Sequence, residues 1–370
     1  MPSPYTYVNS VLPTSWAPPR IVRERICSES ELAELVLSND PAIAAARDGS
    51  IEERILSVFV HEEVLFGDPG FIPANRDRWL ENIGHFVKQD LPLQFVAMAF
   101  AYKMPNPLKT NRMAPDIGEV LMLRRFKAVL DTIETIYAPG GRLTILEEGI
   151  LGRCQGVDQA SIDAYRRGTP ACARIANLKE GQLDFHSLDD MVHQIPNFEA
   201  RWLFEQERMR ELWQQDDPAV LDAYNVTFPN ARTSVPMLDY PHAVVAAAYD
   251  ASQTDSALRY PRDYIDKIAH RKFFAYRSLL ALRDATGFLH DLRPHALKLT
   301  VSPKPENLSV VPINRWSGIL PYHGVPVLHA DGRWEILYLG SLGSAVGHVE
   351  ALHLDGDEDA APIAYRVVSE

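Results

Sequence analysis

Cysteine is scarce in this 370-residue chain, and what there is forms no pattern. Cys27, Cys154 and Cys172 are too few and too irregularly spaced for a disulfide framework, and no CxxC pair is present to hold a structural metal. A reducing cytoplasm fits that usage best. Positive charge is also short: 37 Lys and Arg stand against 49 Asp and Glu, a net charge of -12 at pH 7. No global field therefore draws the chain to nucleic acid or to an anionic membrane, and any anion site must be local. No stretch has about eighteen uninterrupted apolar residues, and the polar, proline-rich N-terminus lacks the order of a signal peptide, so a soluble, unexported protein is expected. G-x-G-x-x-G, the P-loop and G-x-S-x-G are all missing, which removes support from dinucleotide, Walker-type and serine-hydrolase readings.

What is present is enough apolar sequence for a large core, 46% of the chain. Residues 1–25 read as an extended arm, because Pro13, Pro18 and Pro19 prevent a helix there. Such an arm wraps its own surface or a partner subunit, the latter giving a homodimer. Residues 26–370 read as a single α/β domain with a helical insertion at about 155–290.

Leu91 to Phe100 is a nearly continuous apolar run of strand length, the mark of a strand buried on both faces. From about Asp116 to Ile136, the apolar residues Val120, Leu123, Phe126, Leu130, Ile133 and Tyr137 recur in steps of three and four, which predicts a helix. Ala138-Pro139-Gly140-Gly141 stops it, and Arg142 to Leu146 reads as the next strand. Strand, helix and strand make a βαβ unit, so the two strands are expected to be parallel with their carboxyl ends on one edge. The fold class expected is α/β, with a Rossmann-like, mostly parallel sheet, a helical insertion and a β-rich C-terminal part. That last part carries a hairpin signal at Ala330-Asp331-Gly332 and continues the far end of the same sheet. The acidic run Asp355 to Asp359 reads as an exposed loop.

Between that first strand and helix lies a long, proline-stiffened connection, Tyr102-Lys103-Met104-Pro105-Asn106-Pro107-Leu108-Lys109. It sits at a strand end where α/β proteins bind ligands, so Lys103 and Lys109 are expected to meet an anion such as a phosphate. Asn106 serves either as a turn residue or as a fixed hydrogen-bonding group. At 100° per residue, Asp116 falls about 20° and Glu119 about 40° from Leu123, so both acids turn toward the apolar stripe. Asp116 either caps backbone amides or takes part in chemistry, and Glu119 either pairs with Lys103 or Lys109 or acts as an acid or base. His323, opening a strand after a proline turn, suits acid/base work or a structural role. Lys298 and Ser302 share one face of the preceding strand and could complete an anion site. His329-Ala330-Asp331 is an H-x-D triplet that, with His348 or His353, would form the facial triad of a non-haem iron oxygenase, although turn chemistry already accounts for Asp331-Gly332.

The ordered set Lys103, Pro105-Asn106-Pro107, Lys109, Pro115-Asp116, Glu119 and Tyr137-Ala138-Pro139-Gly140, followed by Leu320-Pro321-Tyr322-His323-Gly324 and Asp331-Gly332, resembles the isocyanide (isonitrile) synthases of the pyoverdine/dityrosine biosynthesis family. The resemblance covers about half the chain. It implies a metal-free condensation without cofactor, in which an amino-acid α-amine joins the C2 carbonyl of ribulose 5-phosphate in specialised metabolism. It also implies roles: Lys103, Asn106, Lys109, Glu147, Lys298, Ser302 and Tyr322 for substrate binding, and Asp116, Glu119 and His323 for proton transfer. The chain departs from the family pattern at four places. Glu147-Glu148-Gly149 stands where S-D-G is usual, and Lys298 to Ser302 where R-x-S-x-H is usual. Tyr322 replaces tryptophan and Leu320 replaces threonine. A divergent member is therefore expected, with a relative making an N-formyl or other amide-like product, or a non-catalytic phosphometabolite binder, as the alternatives.

Overall fold

A computed structural model of the chain describes residues 17–368, apart from 68, 101, 104, 105, 155, 193, 238, 287–292, 302–306 and 358. The chain begins with β1 (Arg20–Cys27), α1 (Glu29–Val36), α2 (Ile51–Phe59) and α3 (Phe71–Val87). Next come β2 (Leu93–Met98), α4 (Ile117–Ile136), β3 (Gly141–Glu147), α5 (Gly149–Cys154), α6 (Gln159–Ile175) and β4 (Leu183–Ser187). A helical stretch follows: α7 (Leu188–Val192), α8 (Phe198–Gln214), α9 (Pro218–Thr233), α10 (His242–Tyr249) and α11 (Arg259–Thr286). The last part holds β5 (Leu297–Thr300), β6 (Leu308–Ser309), β7 (Val325–Leu328), β8 (Trp334–Leu337), α12 (Leu342–Val346), β9 (His348–Leu354) and β10 (Ala364–Val367).

One five-stranded sheet has the order β4-β3-β2-β5-β6, and every neighbouring pair in it is parallel. This is the Rossmann-like sheet, with the predicted βαβ unit as its β2–α4–β3 segment. The turn that ends α4 needs Gly140 at φ 65°, where its amide also donates to the Tyr137 carbonyl over 2.8 Å. α4 is buried well beyond one stripe, Arg124 and Arg125 included. The reason is its place between two sheets: its apolar residues share a core with Phe95 and Ile145 of the parallel sheet and with Leu328, Trp334 and Ile336 of the other.

That other sheet, of order β1-β9-β10-β7-β8, departs from the sequence reading. The β7–β8 hairpin belongs to it and not to the far end of the parallel sheet, which β5 and β6 supply instead. Residues 20–27 form its edge strand, paired in parallel with β9. β4 lies inside the stretch read as helical and extends the parallel sheet beyond β3. The acidic loop is engaged as well: Asp357 pairs with the buried Arg112 at 2.5 Å, and Asp359 accepts the Met113 and Ala114 amides at 3.0 and 3.2 Å. It therefore fixes the approach to α4. Among the described residues, no helix is long and apolar enough to cross a membrane.

Candidate active site

From β2 the chain builds outward on one side through β3 and β4, then returns to the other side of β2 as β5. This reversal leaves a crevice beyond the carboxyl ends of β2 and β5, the place where open α/β sheets receive ligands. A cavity of ≈ 200 Å³ occupies it, lined by Val96 and Met98 from β2, Lys298 and Thr300 from β5, Glu148 beyond β3, Tyr276 and Leu280 from α11, and Arg293, Asn307 and Tyr322. Lys298 and Arg293 are exposed, so two cations stand at the solvent side, while Glu148 and Tyr322 are only partly accessible. One carboxylate, two phenols and two cations around an apolar floor suit a small polar molecule with an anionic end.

The connection after β2 packs beneath this cavity. Lys103 is sealed from solvent, and its Nζ lies 2.7 Å from Asp116 Oδ2, 2.9 Å from Glu119 Oε2 and 2.9 Å from the Pro321 carbonyl. Its three donors are thus spent, which leaves a substrate anion to other cations. The two acids also cap α4: Asp116 Oδ1 accepts the Gly118 amide at 2.7 Å, and Glu119 Oε2 accepts the Asp116 amide at 2.8 Å. Cap and ion pair therefore coexist. Tyr165 OH donates to Glu119 Oε1 at 3.2 Å and closes the group. Two buried carboxyls share one ammonium, so burial, and beyond it the charge of Glu119, pushes the Asp116 carboxyl well above its ordinary range against the pull of Lys103.

Asn106 ties this connection to the helical stretch. Its amide donates to the Val235 carbonyl at 3.2 Å and to Tyr249 OH at 3.3 Å, and its oxygen accepts the Leu108 amide at 3.0 Å. Leu108 packs among Val235, Ile265, Ile268 and Ala269. The neighbouring Lys109 is fully buried, with Thr233 Oγ1 at 3.4 Å and the Tyr338 ring centroid at 5.6 Å. No carboxylate pairs with it among the described residues, so burial and then the charge of Lys272 pull its ammonium well below the usual lysine range. Lys272, on α11, is itself brought down to about 7 by burial, with Glu148 opposing.

His323 closes the inner end. It is buried, its Nδ1 has no hydrogen-bond partner among the described residues, and its ring meets Tyr322 edge-on at 4.9 Å. Burial, then the positive charges of Lys109, Lys272 and Lys103, hold its pKa well below 6.5, so the imidazole is neutral.

Of the sequence-predicted residues, the structure brings Lys298 and Tyr322 to the cavity wall and sets His323 next to Tyr322; Lys103, Asn106, Lys109, Asp116 and Glu119 form the sealed support. Glu147 points away from the cavity, into a cluster with Arg166, Ser187 and Asp189. Its Oε2 is 3.5 Å from Arg166 Nε, and burial raises its carboxyl to about 7. Its neighbour Glu148 is the one that reaches the cavity. Ser302 lies outside the described residues. In the H-x-D triplet, His329 Nε2 stands 3.0 Å from Glu335 across the β7–β8 hairpin, and Asp331 accepts the Arg333 amide in the turn. Among the described residues, no three His, Cys, Asp or Glu side chains converge to hold a metal. The residues that sequence reasoning missed are Glu148, Lys272, Tyr276 and Arg293. Lys272 had a signal: it is seven positions from Ile265, on the apolar stripe of α11, the same phase that marked Asp116.

Known proteins share this frame. A family model described as pyoverdine/dityrosine biosynthesis protein matches residues 83–230. The chain is 25% identical over 278 residues to the L-tryptophan isonitrile synthase of Fischerella ambigua, covering 72% of this chain and 78% of that protein. It is 26% identical over 278 residues to the L-tyrosine isonitrile synthase of Pseudomonas aeruginosa, covering 70% and 79%. The crystal structure of the PvcA protein from Pseudomonas aeruginosa superposes with a TM-score of 0.62 at 22% identity, over 86% of this chain and all of that one, a likeness of fold.

Proposed function

The chain belongs to the pyoverdine/dityrosine biosynthesis family, and from that premise we propose that it is an enzyme that converts an amino-acid α-amine to an isonitrile by condensation with ribulose 5-phosphate. The observation that carries the reading is the placement of Glu148, Tyr322, Lys298 and Arg293 around one cavity at the β2/β5 crevice. Lys298 and Arg293 at the solvent side are suited to the phosphate, with the C2 carbonyl directed inward. The amine attacks C2, water leaves, and an imine forms; later steps remove protons from carbon, release phosphate, and break the C1–C2 and C2–C3 bonds, so that C2 alone stays on the nitrogen and the other sugar carbons depart. Neutral His323 suits the proton-accepting role and Glu148 the exchange of the amine proton. The Lys103, Asp116 and Glu119 group acts by holding α4 and the 321–323 turn, and Lys109 packs beneath the site.

The test is incubation with ribulose 5-phosphate and a panel of amino acids, read by mass spectrometry for the change from amine to isocyanide and by phosphate release. An isocyanide from at least one amino acid is expected. No product from any of them would overturn the reading, and a product heavier by one water would assign an N-formyl compound instead.

A further inference from the structure

Four lysines lie at or near the site, of which Lys298 lines the cavity, and they differ in what their amines can do. Lys103 is saturated by two carboxylates and a carbonyl. Lys109 is sealed, with no accessible surface from which to meet a substrate. Lys298 is exposed at the solvent side, placed for an anion. Lys272 is different from all three. It is partly accessible, as Glu148 and Tyr322 of the cavity wall are. It stands one turn before Tyr276, which lines the cavity, and on the same face of α11. Its electrostatic neighbours are Glu148 in the cavity wall, Lys109 beneath it and His323 at the inner end.

We propose that Lys272 is a catalytic nucleophile that takes up the ketose phosphate first, as a Schiff base between its Nζ and C2, and then passes C2 to the amino acid by transimination. The inference rests on the sugar phosphate being the substrate. Lys272 Nζ adds to the C2 carbonyl, the carbonyl oxygen gains a proton, and the carbinolamine loses water to give the enzyme imine. The α-amine then adds to C2, a proton moves from the incoming to the leaving nitrogen, and the C2–Nζ bond breaks. The lysine returns unchanged and one water has been lost, the same balance as direct condensation. The surroundings supply what each step needs. A lysine held near 7 keeps a useful share of free amine at neutral pH, while the protonated imine is a better electrophile than the ketone. Glu148 lies toward the cavity to relay the proton between nitrogens, and His323 is neutral, with no hydrogen-bond partner for its Nδ1 among the described residues.

The experiment treats the full-length protein with ribulose 5-phosphate alone, adds borohydride, and maps adducts by peptide mass spectrometry. A reduced pentitol-phosphate adduct on Lys272 is expected, prevented in Lys272→Arg. An adduct spread over exposed lysines such as Lys179, with Lys272 unmodified, would overturn the proposal and needs no variant. In turnover with an accepted amino acid, Lys272→Arg is expected to lose on the order of 10²-fold or more in kcat, with KM for the sugar phosphate little changed. Isocyanide formed by the native enzyme with no adduct on Lys272 overturns this step and leaves the proposed function standing. An adduct on Lys272 with no isocyanide from any amino acid supports the step and removes the function. Neither adduct nor product overturns both.

Discussion

Lys103 Nζ lies 2.9 Å from Glu119 Oε2, with both side chains closed to solvent. Asp116, 2.7 Å from the same ammonium, makes the group two carboxyls to one cation. Removing the cation strands two carboxyls in a region of low dielectric, which costs more than the intact group contributes. Lys103→Met is therefore expected to lose about 3–5 kcal/mol of stability by chemical denaturation. Adding Glu119→Gln to it should restore part of the loss. A loss below about 1 kcal/mol would show that the support does not depend on this ion group.

Glu147 gives the opposite kind of prediction, because its native carboxyl is raised to about 7 from an ordinary 4.5. Below pH 4.5 native and unfolded states both hold the proton, and the contribution to stability is fully present. As pH rises through about 7, the native state must ionise a buried carboxyl and that contribution is lost. Glu147→Gln keeps the shape without the ionisation. At pH 8 it is expected to be more stable than the native protein by on the order of 1–3 kcal/mol, with the difference fading at pH 4. Equal stability of the two at pH 8 would contradict the cluster geometry.

Much of the site's frame was legible in the sequence, and the limits were physical ones. Periodicity found β2, α4 and β3 with their ends within two residues, since each is set by local apolar spacing and by the Ala138 to Gly141 stop. Helix phase turned Asp116 and Glu119 inward, as they are. It could not show that Lys103 is enclosed, because the enclosing Pro321 carbonyl comes from 218 residues away. The second sheet was misread for the same reason: β1 pairs with β9, more than 300 positions distant, and short strands carry no sign of their partners. Glu148 rather than Glu147 lines the cavity, while Glu147 faces Arg166, a difference that depends on contacts with α6 that local sequence does not carry.

On the proposed reading Lys298 and Arg293, both in the cavity wall, meet the phosphate, and their role should appear in binding more than in chemistry. Lys298→Ala is expected to raise KM for ribulose 5-phosphate about tenfold while kcat changes less than about threefold, and Arg293→Ala likewise. Because both are exposed, rising ionic strength should weaken sugar-phosphate binding in the native enzyme and do so less in the variants. A variant with unchanged KM would move the phosphate elsewhere in the cavity.

Lys272 links the electrostatics of the site to its pH dependence. Burial lowers its ammonium to about 7, and Glu148 holds it from falling further. If the free amine is the nucleophile, as proposed, borohydride trapping of ribulose 5-phosphate on Lys272 should rise with pH through about 7. Between one unit below and one unit above that midpoint the rate should grow about tenfold. Glu148→Gln removes the charge that favours the ammonium, so the midpoint is expected to move to lower pH, with trapping at pH 6 faster than in the native protein. Trapping needs no amino acid, so the shift is measurable even though Glu148→Gln should slow turnover. A midpoint that stays in place, or moves up, would show that Glu148 does not set the charge state of Lys272, and the two would then have to be assigned to separate parts of the cavity.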